Sequence, residues 1–261
     1  MPRANRYYIP GRVWHITHGC HRSEFLLKFA CDRKRWRHWL FEAKKRFGLC
    51  VLNYIVTSNH IHLLVKDTGQ DVIPRSMQLI AGRTAQEYNQ RKNRKGAFWE
   101  DRYHATAIDT EGYLAQCLVY IDMNMVRACA VSHPSSWVNS GYQEIQNPLD
   151  RYSVIDYRAL RELLGISNLT QLQSEHQGWV KAELKKDCAV RKPLWSESLA
   201  VGSEAYVQGV KEALGVSAKA RQIEGQEGLY RVRERRASYT CDFDAKNNGL
   251  NNYRHLILDE S

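Results

Sequence analysis

Two β-favouring runs, LCVLNYIV at 49–56 and HIHLLVK at 60–66, are separated only by the polar residues Thr57, Ser58 and Asn59. Short runs of this kind joined by turn formers read as neighbouring strands of an antiparallel sheet. A chain that begins its core this way must place further elements around that strand pair. It must also explain why His60 and His62 straddle a single isoleucine in what is otherwise buried strand.

The flanking patterns supply those elements. Arg12–Cys20 alternates with Val13, Trp14, Ile16 and Thr17 and reads as a first strand. Ala30–Phe47 carries Trp36, Trp39, Leu40, Ala43 and Phe47 at helical spacing, and Gly48 ends it. Asp71–Asn89 is a second helix, followed by the basic turn QRKNRKG. A fourth strand is expected over Ala97–Ile108 and a third helix over Gly112–Ala128. This order, β-α-β-β-α-β-α, is that of an α+β, ferredoxin-like antiparallel sheet with helices on one face. The other face is then expected to stay open, which suits a long substrate. Residues 1–147 read as this core domain, 148–215 as a C-terminal helical extension, and 216–261 as a basic, weakly ordered tail. In the extension, helices are expected at Tyr157–Leu164, Leu169–Leu172, Trp179–Lys186 and Glu204–Leu214, separated by Gly165, Pro193, Gly202 and Gly215.

Charge narrows the class of partner. Lys and Arg number 38 against 28 Asp and Glu, a net charge of +10, which favours a polyanion partner, either nucleic acid or an anionic membrane surface. The opening MPRANRYYIPGRVWHI has no apolar signal-like core, and no stretch approaches the ~20 apolar residues of a membrane span. No membrane association and a cytoplasmic, nucleoid-associated location are therefore expected. Seven scattered cysteines without a CxxC pair point to reduced thiols rather than disulfides or a zinc knot.

Residues i and i+2 of a strand share a face, so His60 and His62 project together while Ile61 and Leu63 point into the helix-covered core. Side by side, two imidazoles suit a shared divalent metal, or they are simply half-exposed strand histidines. In the third helix, at ~100° per residue, Tyr113, Gln116, Tyr120, Asn124 and Arg127 fall on one polar stripe. Leu114, Cys117, Leu118, Ile121 and Met125 form an apolar stripe that can dock on the sheet. Asn124 is placed to offer an oxygen to a metal held by the histidines, and Tyr120 to aim its hydroxyl at a nearby polarised oxygen. The alternative, a packing tyrosine and a polar helix end, stays open on these residues alone.

Taken together, RANRYYIPGRVWHIT, NYIVTSNHIHLLV, AFWEDRYHATAI and YLAQCLVYIDMNMVRA resemble the single-tyrosine HUH transposases, most closely the bacterial REP-associated tyrosine transposases. The resemblance covers roughly the first 140 residues, with its motifs in the family's order. It implies the HUH fold, metal binding by His60, His62 and Asn124, and Tyr120 as the nucleophile. Two positions depart from it, Met125 where family members carry proline and Cys129 where they carry glycine.

The implied function is a Mg²⁺- or Mn²⁺-dependent endonuclease and strand transferase. It would act on single-stranded or hairpin, REP-type DNA through a 5′-phosphotyrosine, in transposition or repeat maintenance. Expected DNA contacts are Arg3 and Arg6 beside Tyr7 and Tyr8, the basic turn Arg91, Lys92, Arg94 and Lys95, and Arg102 and Arg127. Self-association is compatible with this reading. Two alternatives stand beside it: a DNA-binding module on the same fold without cleavage, and a relaxase- or initiator-like nuclease. The absence of GxxxxGK[ST] disfavours a helicase-bearing initiator, and the absence of HExxH a metalloprotease.

Overall fold

The computed structural model describes residues 9–186, 193–215, 221–226 and 228–234. Four strands form the centre: β1 (Val13–Gly19), β2 (Cys50–Val56), β3 (His60–Lys66) and β4 (His104–Ile108). They lie in the order β2-β3-β1-β4, all antiparallel, with Thr17 opposite both His62 and His104. Helices α1 (Ala30–Phe47) and α2 (Val72–Arg91) connect them in the split β-α-β pattern. This is the ferredoxin-like core expected from the sequence.

Strand alternation divides the sheet chemically. Ile16, Tyr54 and Leu63 are fully buried and lie opposite one another in register. The Trp36 ring of α1 packs toward Tyr54, with centroids 6.5 Å apart, so this is the face that the first helix pair covers. Helix α1 buries Trp36, Trp39, Leu40 and Ala43 and stops at Gly48, whose left-handed φ of 71° lets its N–H bond the Lys44 carbonyl.

The second face, expected open, is partly roofed. Helix α3 (Leu114–Asp122) docks there, with Asn53 of β2 donating from its amide to the Leu118 carbonyl and, at 3.0 Å, to Asp122. The helix expected over Gly112–Ala128 is in fact two, because Met123, at ψ 0°, separates α3 from the single turn α4 (Asn124–Arg127). The fourth strand is also shorter than the sequence suggests. Residues 97–103 instead fold back over α2, where Trp99 donates to the Ala81 carbonyl and stacks on His18 at 4.1 Å. Phe98 and Trp99 are thus packed rather than displayed.

The remaining segments attach to the same body. Helices α5 (Gly141–Gln146), α6 (Tyr157–Leu164), α7 (Leu169–Leu184), α8 (Leu194–Glu197) and α9 (Glu204–Leu214) follow. Two helices expected between 169 and 186 are one, because His176 and Val180 continue its buried face past Leu172. Strand β5 (Ala200–Gly202) pairs in parallel with β4. Beyond it, β6 (Arg221–Gln226) and β7 (Leu229–Glu234) complete a seven-stranded sheet ordered β2-β3-β1-β4-β5-β7-β6. The weakly ordered tail expected from residue 216 is corrected over 221–226 and 228–234. Charge dominates the composition there, yet Val232 is fully buried and joins the core with Trp195, Val201 and Val207. Residues 235–261 lie outside the described residues.

Candidate active site

On the roofed face a pocket of about 500 Å³ opens between the ends of β1 and β3 and the α3–α4 junction. His60, His62, Tyr120, Asn124 and Arg127 all line it, and none of its lining residues is a carboxylate. A pocket with one guanidinium and no acid suits an anionic guest.

Both histidines reach the pocket because β3 alternates, as the spacing predicts. Their rings lie 5.0 Å apart and nearly perpendicular. His60 Nδ1 sits 2.8 Å from the Asn59 side-chain oxygen and donates to it, which leaves its lone pair on Nε2. His62 Nε2 is 2.9 Å from the Asn124 amide nitrogen, so that amide donates to the ring. Asn124 opens α4 directly after the Met123 break, and the same amide carries an oxygen donor. Two imidazole nitrogens and an amide oxygen form a neutral donor set that fits a divalent cation and leaves its charge undiminished. Among the described residues no group of three or more His, Cys, Asp and Glu side chains is placed to hold a metal, so any ion here depends on this mixed set.

Tyr120 is nearly buried, at 6 % exposure, in polar and aromatic surroundings. Its ring lies 5.8 Å from that of His62, at right angles, and 6.0 Å from that of Trp195. The Arg127 guanidinium stands over the phenol at 4.2 Å and also donates to the Tyr120 carbonyl. Tyrosine, histidines and amide therefore meet within one chain.

Behind the pocket α3 is held by a second polar set. His176 of α7 donates from Nε2 to Asp122 at 2.7 Å, and Gln146 donates to its other nitrogen, with both His176 and Asp122 almost wholly buried. This pins the helix that carries Tyr120 to β2 through Asn53 and to the extension through His176.

The other expected residues are more dispersed. Arg102 is exposed and lines a neighbouring groove of about 510 Å³ that shares His18 with the first pocket. Arg91 pairs with Asp32, Lys92 lies over the Phe29 ring at 5.0 Å, and Arg94 approaches Glu24 at 3.6 Å. Neither these three nor Lys95 lines the pocket. Of the helical stripe, Tyr113 donates to the Gly228 carbonyl in the β6–β7 turn and Gln116 to the Gly112 carbonyl, both away from the histidines. Arg3 and Arg6 lie outside the described residues. The sequence reading does not single out His15 or Trp195, which border Tyr120 and His62. Alternation places His15 on the same face as Thr17, but which strand lies beside it is a matter of sheet order, and nothing in the residues of 193–197 announces a contact with the core.

Comparison with known proteins shows what kind of domain this core is similar to. Residues 13–124 match the family model described as "Transposase IS200 like". Over this segment the core is similar to IS200-like transposases. The matched segment runs from the first residue of β1 to Asn124, so it contains the strand pair, Tyr120 and the amide that line the pocket. No curated protein matches the chain. Among solved structures, a REP-associated tyrosine transposase bound to a REP hairpin is 23% identical, with a TM-score of 0.47 over 61% of this chain and 96% of that one. A transposase structure from Deinococcus radiodurans is 18% identical, with a TM-score of 0.33 over 43% of this chain and 92% of that one. At these scores the likeness to transposases rests on the family model rather than on the overlays.

Proposed function

We propose that this chain is a transposase that cuts and rejoins single-stranded DNA by a tyrosine nucleophile with a divalent metal, on substrates presented at the foot of a hairpin. The observation that carries the reading is the meeting of His60, His62, Asn124 and Tyr120 in one acid-free pocket. These residues come from β3 and the α3–α4 junction, some sixty positions apart, and simple packing does not call for that combination.

His60, His62 and Asn124 would hold the ion, with Mg²⁺ or Mn²⁺ as the working choice because mixed nitrogen and oxygen ligation accommodates them. When bound, such an ion withdraws charge from the non-bridging oxygens of a phosphodiester. Arg127, the cation in the pocket lining, pairs with the same phosphate or its neighbour. Tyr120 attacks the phosphorus: a phenolic Oη–P bond forms, the P–O3′ bond breaks, and the phenol's proton is lost as the departing 3′ oxygen gains one. The product is a 5′-phosphotyrosine and a free 3′-hydroxyl. Because the linkage preserves the phosphodiester's energy, a second 3′-hydroxyl reverses the step and joins strands without ATP.

Arg102 and the α2 groove beside it are proposed to guide the strand toward the pocket, with Arg3, Arg6 and the Arg91–Lys95 turn as outlying phosphate contacts. The resemblance to REP-associated transposases suggests a palindromic hairpin with a single-stranded foot. Residues 1–147 would carry the chemistry, with 148–215 packed around it.

The deciding experiment is a denaturing gel of the chain incubated with labelled hairpin bearing a 5′ single-stranded extension, plus Mg²⁺ or Mn²⁺. A covalent protein–DNA band is expected, absent in Y120F and after chelation, while Y120F still binds the hairpin. Adduct formation by Y120F refutes the nucleophile. Binding without any adduct in the wild type selects the non-cleaving alternative.

A further inference from the structure

The metal-binding pair has a third imidazole behind it. His15 of β1 is fully buried, with its Nε2 2.9 Å from His62 Nδ1 and its Nδ1 2.7 Å from the main-chain carbonyl of Trp195. The His15 and His62 rings are within 13° of parallel. Proton placement along this chain of contacts follows from elementary bookkeeping. A carbonyl oxygen only accepts, so His15 Nδ1 carries a hydrogen. The Asn124 amide donates to His62 Nε2, which leaves the hydrogen of that ring on Nδ1, so His15 Nε2 is an acceptor. His62 Nδ1 is thus the donor between the two rings, and its lone pair lies on Nε2, the nitrogen beside Asn124.

We propose that His15 is a positioning residue which, anchored by the Trp195 carbonyl, locks His62 in the tautomer that presents Nε2 to the cation. The C-terminal extension thereby takes part in building the metal centre. This rests on the metal-dependent reading above and adds a role for two residues outside the ligand set. An imidazole ligand whose far nitrogen is fixed by a neighbour binds with its ring orientation and tautomer already chosen. Trp195 serves twice, since its ring also packs 6.0 Å from that of Tyr120. Movement of α8 would then disturb nucleophile and ligand together.

The test uses the full chain without DNA. Nitrogen-15 NMR of labelled histidines reports which ring nitrogen of His62 is protonated, and electron paramagnetic resonance titration reports Mn²⁺ affinity. Wild type is expected to show His62 protonated on Nδ1. H15F, which removes the acceptor, should mix the tautomers and weaken Mn²⁺ binding about 10- to 100-fold. H15Q, whose amide offers both a donor and an acceptor, should recover most of that loss. A folded H15F with unchanged His62 tautomer and unchanged Mn²⁺ affinity overturns the role, since packing alone would give that result. If H15F does not fold, the wild-type spectrum decides: His62 protonated on Nε2 overturns the proposal, and protonation on Nδ1 with H15Q near wild-type affinity supports it. A wild type that binds no Mn²⁺ overturns the metal reading, and the positioning role with it. Mn²⁺ binding that ignores H15F overturns the positioning role alone.

Discussion

The two faces of one strand separate stability from chemistry. Along β3, Ile61, Leu63 and Val65 are fully buried on the face toward α1 and α2, where any well-fitting aliphatic group would serve. On the alternate face His62 is almost as buried, at 4 % exposure, but it lies among His15, Asn124 and Tyr120. Burial is thus nearly equal on the two sides, while what it accomplishes differs. One face removes apolar surface from water, and the other removes water from polar groups whose geometry has to be kept.

Neighbouring substitutions test that division. The largest effect expected is on chemistry, with H62A reducing covalent adduct at least 100-fold while costing about 1–3 kcal/mol of stability for its lost hydrogen bonds. One residue along, L63A should cost about 2–5 kcal/mol by opening a cavity and leave adduct yield per folded molecule unchanged. Denaturant melts alongside gel assays would decide. If both variants lose stability and adduct in the same proportion, the faces are not functionally separate.

H176F sharpens the comparison from behind the pocket. It leaves the Asp122 carboxylate with only the Asn53 amide among the side-chain hydrogen bonds described, a loss of about 1.5–3 kcal/mol for a charge-assisted bond. Adduct yield should fall as well, because α3 carries Tyr120, the proposed nucleophile. Unchanged adduct yield in a destabilised H176F would mean that α3 needs no such anchor.

A smaller effect concerns pH. His104 shares the site face, donates to the Ser198 carbonyl at 2.8 Å, and has its pKa lowered chiefly by burial. The unfolded chain, with an ordinary histidine near pKa ~6.5, takes up the proton first. This contribution to stability is therefore present at neutral pH and is lost as pH falls through that range toward the folded value. H104F should flatten that part of the curve, as read from denaturant midpoints at several pH values, and an unchanged slope would contradict it.

The least effect belongs to Cys129. It follows α4 with φ at 53°, a left-handed conformation that favours glycine, and glycine is the residue that the family resemblance leads one to expect there. C129G should raise stability by about 0.5 kcal/mol, since relief of strain is offset in part by glycine's entropy. A lower melting temperature would show that the thiol has a packing role.

What the sequence made legible follows the same division. Elements whose periodicity is their own were readable: Ala30–Phe47, His60–Lys66 and Glu204–Leu214 have the limits that their apolar spacing and flanking breakers imply. The His60–His62 pair and the line of Tyr120, Asn124 and Arg127 were visible because each lies within one short stretch of chain, although the second spans α3 and α4. Features that depend on two distant segments were not. Strand β5 has three residues and only its pairing with β4 defines it. The β6–β7 hairpin is masked by charge, its Arg231 held at the surface by Glu224. His15 matters through a carbonyl 180 positions away, and backbone groups leave no signature in residue type.

The way the extension joins the sheet has a consequence for how this molecule behaves in company. β4 would be the last strand of a four-stranded core, with a row of donors and acceptors ready to zip onto any exposed strand. Here Ala107 and Asp109 give their N–H groups to Leu199 and Val201 instead. At the opposite margin, β2 exchanges main-chain bonds with Asn139 and Asp156. Cutting the chain back to residues 13–124 would uncover both margins at once, so the shortened protein should be sticky where the longer one keeps to itself.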